Sequence, residues 1–136
     1  MMDAANREDG KTAVDIQLLL RWEGISLFVG MTFFYWVSDA PWIDYAIFLF
    51  VPELALLGYV VSPQIGTGIY NAVHAIIAPM CLAIFGILTA EPLAGSLAMI
   101  WMANIGLNRT FGWGLRYGAG FHFNHLGSIG CGRDTA

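Results

Sequence analysis

The sequence predicts an all-α integral-membrane protein, a four-helix up-down bundle with a glycine- and aromatic-rich interfacial C-terminal tail. Three observations predict it: too little charge for a soluble surface, four apolar runs of spanning length, and basic residues confined to the two ends of the chain. Of the 136 residues 57% are hydrophobic and 12% are charged, with a mean hydropathy of +0.63. A soluble domain carries roughly 25% charged residues, and crossing hydrocarbon takes roughly 20 apolar residues in a helix.

The apolar runs are Leu18–Val37, Trp42–Val61, Thr67–Leu88 and Leu93–Asn108. Turn residues separate them: Ser38-Asp39-Ala40-Pro41, Ser62-Pro63-Gln64-Ile65-Gly66 and Thr89-Ala90-Glu91-Pro92. Loops this short make neighbouring helices antiparallel. Residues 1–16 form a polar cytoplasmic segment, 17–109 the bundle, and 110–136 a cytoplasmic interfacial tail that is a candidate pocket lid. Arg7, Lys11, Arg21, Arg109, Arg116 and Arg133 all lie at the two ends, while the first and third loops carry only Asp39 and Glu91. By the positive-inside rule both termini face the cytoplasm, as an even number of spans requires. The polar, acidic N-terminus lacks the features of a cleaved signal, so helix one is expected to stay. Cys81 and Cys131 offer no disulfide framework, and Cys81 reads as a packing residue.

Glu53 interrupts the second run, and a carboxylate in hydrocarbon is costly unless it is protonated, paired or turned toward a polar cavity. At an α-helical rise it lies about 12 Å from Val61, and His74 lies about 10 Å from Thr67, so the two are level. Asn71 lies one turn from His74 on the same face, and Trp101, Asn104 and Asn108 make one stripe on helix four. Glu23 enters with Arg21 from the first turns of helix one. The opposite half of the bundle reads as almost wholly apolar apart from Asp44. Together these place one pocket toward the cytoplasm or inner leaflet. Pro52 is expected to bend its helix and free a backbone acceptor, whereas Pro79 reads as a merely tolerated membrane proline.

The residues Leu20-Arg21-Trp22-Glu23-Gly24, Pro52-Glu53-Leu54 with Leu57-Gly58-Tyr59, Tyr70-Asn71 with His74, and Trp101 through Asn104-Ile105-Gly106 to Asn108-Arg109 form a joint pattern. With Gly112-x-Gly114-Leu115 and Phe121 with His125-Leu126-Gly127, it resembles a family of small bacterial membrane proteins, domain of unknown function 4260. The resemblance runs from about residue 18 to 130. In that family's pattern position 53 is usually Asp, 104 usually His and 108 usually Asp. The present chain has Glu53, Asn104 and Asn108. Two groups able to bind metal or move a proton are thus neutral amides, which leaves Glu53 as the main proton-active group.

These observations favour an enzyme that uses Glu53 as general acid, with His74 as its partner, on a lipophilic small molecule. The best match is non-redox cyclisation or isomerisation of a prenylated or terpenoid compound bearing an epoxide or alkene. Glu23, Tyr59, Tyr70, Asn71, Trp101, Asn104, Asn108 and His125 are the candidate substrate contacts, with π faces from Trp101, Trp22, Phe50, Tyr59 and Tyr70 to stabilise cationic charge. Alternatives are an oligomeric proton- or ion-conducting or transport protein, and a metal-dependent membrane hydrolase using Glu53, His74, His122 and His125. Glu53 paired with Arg21 or Arg109 as a mere fastener is the structural alternative. No phosphate-cradling glycine loop follows a strand. No cofactor, no metal and no nucleic acid is expected. The expected partners are the substrate and membrane lipid, in the bacterial inner membrane, with a homo-oligomer compatible.

Overall fold

The computed structural model describes residues 4–115, 123–124 and 127–128. Helix α1 runs from Ala4 to Val37, α2 from Trp42 to Phe48, α3 from Pro63 to His74, α4 from Ile77 to Thr89, and α5 from Pro92 to Thr110. A 3-10 helix, Val51–Val60, continues α2. These pieces make four rods: α1, α2 with the 3-10 helix, α3 with α4, and α5. Three of them, Gly10–Val37, Trp42–Val60 and Pro63–Thr89, are long and apolar enough to cross a membrane. The fourth, α5, carries the richest set of buried residues and packs between α1 and α4. Because its neighbours shelter it, it needs fewer lipid-facing apolar side chains. The class is an all-α membrane bundle, and two short strands, Phe123–Asn124 and Gly127–Ser128, pair antiparallel in the tail.

Helix one begins far earlier than expected, at Ala4. Residues such as Ala4, Ala5, Lys11 and Ala13 favour helix, and the helix runs unbroken through the Asp9-Gly10 turn signal into the span. Past its middle, at Gly24 and Phe28, α1 meets α5 backbone to backbone. A Cβ on Gly106 would lie 2.6 Å from the Phe28 nitrogen, and one on Gly24 would lie 2.8 Å from the Gly106 oxygen. Small residues at such crossings let membrane helices approach closely. Thr110 ends α5 in a Schellman turn: Gly112, at φ +80, donates to the Arg109 carbonyl at 3.0 Å, and Trp113 donates to the Asn108 carbonyl at 2.7 Å.

Spans two and three are both broken, each at a proline. Pro52 has no N–H to continue α2, and Glu53 donates instead to Phe50, three residues back, at 3.1 Å. The chain then stays in 3-10 geometry for ten residues, longer than the usual run of about four. Pro79 likewise cannot bond the carbonyl four residues earlier, so α3 stops at His74 and α4 restarts at Ile77. The reading of Pro79 as merely tolerated is therefore overturned.

The half of the bundle near the first loop is more polar than expected. Tyr35 and Tyr45 are buried there, Thr32 and Tyr45 share a hydrogen bond of 2.5 Å, and Tyr35 donates to the Pro41 carbonyl at 2.6 Å. Their rings pack with Leu49, Ile100 and Ala103 into the apolar core. Cys81 is exposed, contrary to its reading as a packing residue.

Candidate functional site

The 3-10 rise of about 2.0 Å per residue puts Glu53 about 16 Å from Val61. Since α3 starts at Pro63, His74 also lies about 16 Å from its own end. Both are thus deeper than the sequence suggested, near the middle of a hydrocarbon layer about 30 Å thick. They remain level, and they meet: His74 Nε2 is 3.4 Å from Glu53 Oε1.

Helix α5 completes the cluster from the other side. Asn108 Nδ2 donates to Glu53 Oε1 at 2.6 Å and Asn104 Nδ2 donates to the same oxygen at 3.1 Å. The second hydrogen of Asn104 goes to the Leu49 carbonyl at 2.8 Å, and its oxygen accepts from Asn108 at 3.3 Å. Leu49 is the carbonyl that Glu53 would occupy in an unbroken α-helix, so Asn104 takes up the acceptor released at Pro52. Trp101 does the same at the other break, donating its indole N–H to the Val73 carbonyl at 2.7 Å. One stripe of α5 therefore seals an orphan carbonyl at each broken span.

The protonation pattern follows from partner chemistry. His74 Nδ1 lies 3.0 Å from the Tyr70 carbonyl, which can only accept, so Nδ1 carries a hydrogen. Neutral His74 then offers a lone pair at Nε2 toward Glu53 Oε1, 3.4 Å away. With one proton between them, as carboxylic acid and imidazole or as carboxylate and imidazolium, the pair is neutral overall. That neutrality is what a low-dielectric site tolerates. The Tyr70 ring stacks on His74 at 4.0 Å and 15° and fixes the imidazole plane. His74 is buried, while the Glu53 side chain is 26% exposed. The hydrogen bonds from Asn104 and Asn108 and the His74 contact all fall on Oε1.

An apolar groove of about 510 Å³ adjoins the cluster. Phe48, Pro52, Ala55, Val73, Leu97 and Trp101 are among its walls. Glu53 is not, but Pro52 precedes it in the chain, and Trp101 stands one turn from Asn104 with its N–H fixed beside His74. Groove and cluster thus share a wall, and the volume lies within the range of small-molecule sites, roughly 300–1,000 Å³.

Glu53, His74, Asn104 and Asn108 form the cluster, with Tyr70 and Trp101 against it. Two of the expected substrate contacts have other work: Asn104 and Asn108 hold the carboxyl. Tyr59 instead hydrogen-bonds Thr67 at 3.2 Å, two turns of the 3-10 helix away from Glu53. Asn71 is half-buried on α3. Glu23 is exposed on α1, where its charge acts on Arg109. Trp22 and Phe50 are 64% and 61% exposed and do not join the cluster. His122 and His125 lie outside the described residues. Arginine does not pair with Glu53 among the described residues, which removes the simple-fastener reading. Nor do three metal-ligating side chains group together there. Sequence reasoning missed Thr67, whose only signal was its place seven residues before His74.

A family model described as "Domain of unknown function (DUF4260)" matches residues 17–129. No curated protein and no solved structure matches the chain.

Proposed function

The chain belongs to the DUF4260 family, and from its site we propose an integral-membrane enzyme that transfers a proton from Glu53 to a lipophilic substrate. The observation that carries this reading is the 3.4 Å contact between Glu53 and His74, near the middle of their spans and beside an apolar groove. Intramembrane carboxyl–imidazole pairs are expensive to maintain and mark function by default. The substrate class that suits it is a prenylated or terpenoid molecule bearing an alkene or epoxide. Its hydrocarbon part occupies the groove and its reacting end lies at the Pro52–Trp101 wall. Glu53 delivers a proton to the alkene carbon or the epoxide oxygen. The cation that results is stabilised over the Trp101 indole. In cyclisation a second double bond of the substrate attacks this cation, its π electrons forming the ring's C–C bond and leaving a new cation; in isomerisation this attack is absent. In both, a carbon beside the final cation returns a proton to the carboxylate and a double bond forms there. The substrate gains and loses one proton, and nothing is oxidised or reduced.

Transport is the competing reading, since discontinuous helices at the midplane often coordinate ions through released carbonyls. Here Asn104 and Trp101 already donate to the carbonyls of Leu49 and Val73, which favours catalysis. The basic residues at both ends of the sequence support a multi-pass protein of the bacterial inner membrane with cytoplasmic termini.

The test is Glu53→Gln, which keeps the shape and removes the proton. It is expected to insert and fold normally while losing turnover on isoprenoid substrates by about two to four orders of magnitude. Full turnover in that variant sinks the proposal, and Glu53-dependent ion flux in sealed liposomes would favour transport instead.

A further inference from the structure

Pro52 leaves the carbonyl of Leu49 without a backbone donor in either kind of helix. An α-turn would give it the Glu53 N–H, but that group donates to Phe50. A 3-10 turn would give it the N–H at position 52, and proline has none. Leu49 is buried, so its carbonyl needs a donor from the protein. Asn104 Nδ2 supplies it from another helix, at 2.8 Å. A carbonyl only accepts, so this bond fixes which way round the Asn104 amide stands.

The rest of the network follows from that one constraint. With its nitrogen on Leu49, Asn104 turns Oδ1 to Asn108, whose Nδ2 donates to it at 3.3 Å. That bond fixes the Asn108 amide in turn. Each nitrogen has one hydrogen left, and both reach Glu53 Oε1, at 3.1 Å from Asn104 and 2.6 Å from Asn108. Turning either amide round would set oxygen against oxygen: Asn104 Oδ1 against the Leu49 carbonyl, or Asn108 Oδ1 against Asn104 Oδ1. Both amides are buried, at 1% and 4% exposure, so bulk water does not relieve such a clash. In a protonated carboxyl the carbonyl oxygen is the better acceptor, while the hydroxyl oxygen carries the donor hydrogen. Two amide donors on Oε1 therefore select it as the carbonyl. His74 does not reverse the choice, because its Nε2 stands 3.4 Å from Oε1. An O–H group donates well only to about 3 Å.

We propose that Glu53 carries and delivers its proton on Oε2, and that Pro52, Asn104 and Asn108 are positioning residues that make it do so. This deepens the reading of Glu53 as the acid, on which it rests, by naming the atom that acts. In the transfer the Oε2–H bond breaks and its electrons stay on the carboxylate. The proton joins the alkene carbon through the π pair, or the epoxide oxygen through a lone pair. The negative charge left behind spreads onto Oε1, where both amides already donate, and hydrogen bonds to a charged oxygen are the stronger ones. Donors set in advance where charge develops lower the barrier to forming it. The amides thus assist departure of the proton from the opposite oxygen. Oε2 is also the atom to which the proton returns, since Oε1 keeps both of its donors.

The experiment is infrared difference spectroscopy of the full chain, with isotope-labelled glutamate, in proteoliposomes over a pH series. The carbonyl band of protonated Glu53 is identified by its loss in Glu53→Gln. With the hydroxyl on Oε2, this band should lie below that of a free carboxylic acid. Asn108→Ala takes one donor from the carbonyl oxygen and leaves the Leu49 carbonyl filled, so the band should move upward. Pro52→Ala tests the origin of the pattern without removing a polar side chain. It restores an N–H for Leu49, frees Asn104 to stand either way round, and should split the band in two. A purely structural asparagine or proline would move neither. A band that stays in place in Asn108→Ala puts the hydroxyl on Oε1 and overturns the proposal, while leaving Glu53 as the acid. A single unshifted band in Pro52→Ala overturns the part given to Pro52. Full turnover in Glu53→Gln beside the expected shifts overturns delivery from Oε2 and leaves only the orientation of the amides. A protonated band that appears at no pH overturns the proposal together with the catalytic reading.

Discussion

The seam between α1 and α5 and the seam between the 3-10 helix and α3 are built on opposite principles. The first is held by the absence of side chains: Gly24 and Gly106 bring two backbones within contact. The second is crossed by a carboxyl–imidazole pair and a hydroxyl pair, between two spans that are each broken by proline. The contrast teaches a division of labour. Gly106 sits on α5 between Asn104 and Asn108, so the steric lock on one side of that helix fixes the height at which its amides meet Glu53 on the other. A close-packed frame supports a polar seam that could not hold itself so firmly.

Attacking the frame should have the largest effect on stability. Gly106→Ala sets a Cβ 2.6 Å from the Phe28 nitrogen, where only backbone can yield. Overpacking of this kind costs about 3 kcal/mol. Chemical denaturation in detergent should show it, with Asn104 and Asn108 losing register on Glu53. A fully stable Gly106→Ala would mean that the frame is softer than its geometry implies. Asn104→Leu attacks the junction between the seams. It strips a donor from the Leu49 carbonyl and another from Glu53, and should destabilise the bundle by about 1–2 kcal/mol. Its sharper signature is in the Glu53 infrared band, which should shift because Oε1 loses a hydrogen bond. Trp101→Phe is the mildest, removing one indole N–H from Val73 for about 0.6 kcal/mol. Thermal unfolding of that variant should shift little, whereas occupancy of the groove by isoprenoid should change, because Trp101 is part of its wall.

Much of this was legible in the sequence, and the rest was hidden for definite reasons. The apolar runs and turn residues gave the class, and simple depth arithmetic put Glu53 level with His74. That arithmetic used the wrong rise and the wrong helix start, yet the two errors moved both residues by similar amounts and the pairing survived. Pro79 was misjudged because whether a membrane proline bends or breaks its helix depends on what can satisfy the freed carbonyls. Here the indole of Trp101, 28 residues away from Val73 in sequence, does so. Asn104 and Asn108 were placed correctly on a stripe but given to the substrate, since a sequence shows a face without showing what fills it. The Gly24–Gly106 contact was invisible for the same reason: it is a register between helices. His125 and the lid role of the tail fall outside the described residues.

The ten residues of 3-10 helix carry one more consequence. Along Val51–Val60, Pro52, Ala55 and Gly58 are buried, Leu54, Leu57 and Val60 face lipid, and Glu53, Leu56 and Tyr59 lie between. An ordinary helix would smear such a pattern around its circumference. In a saturation map of this segment, tolerance should therefore beat in strict threes: one column restricted to small residues, one indifferent to any apolar group, and one guarding its chemistry. Such a rhythm could be read from survival counts alone, and it would report the backbone geometry without a structure.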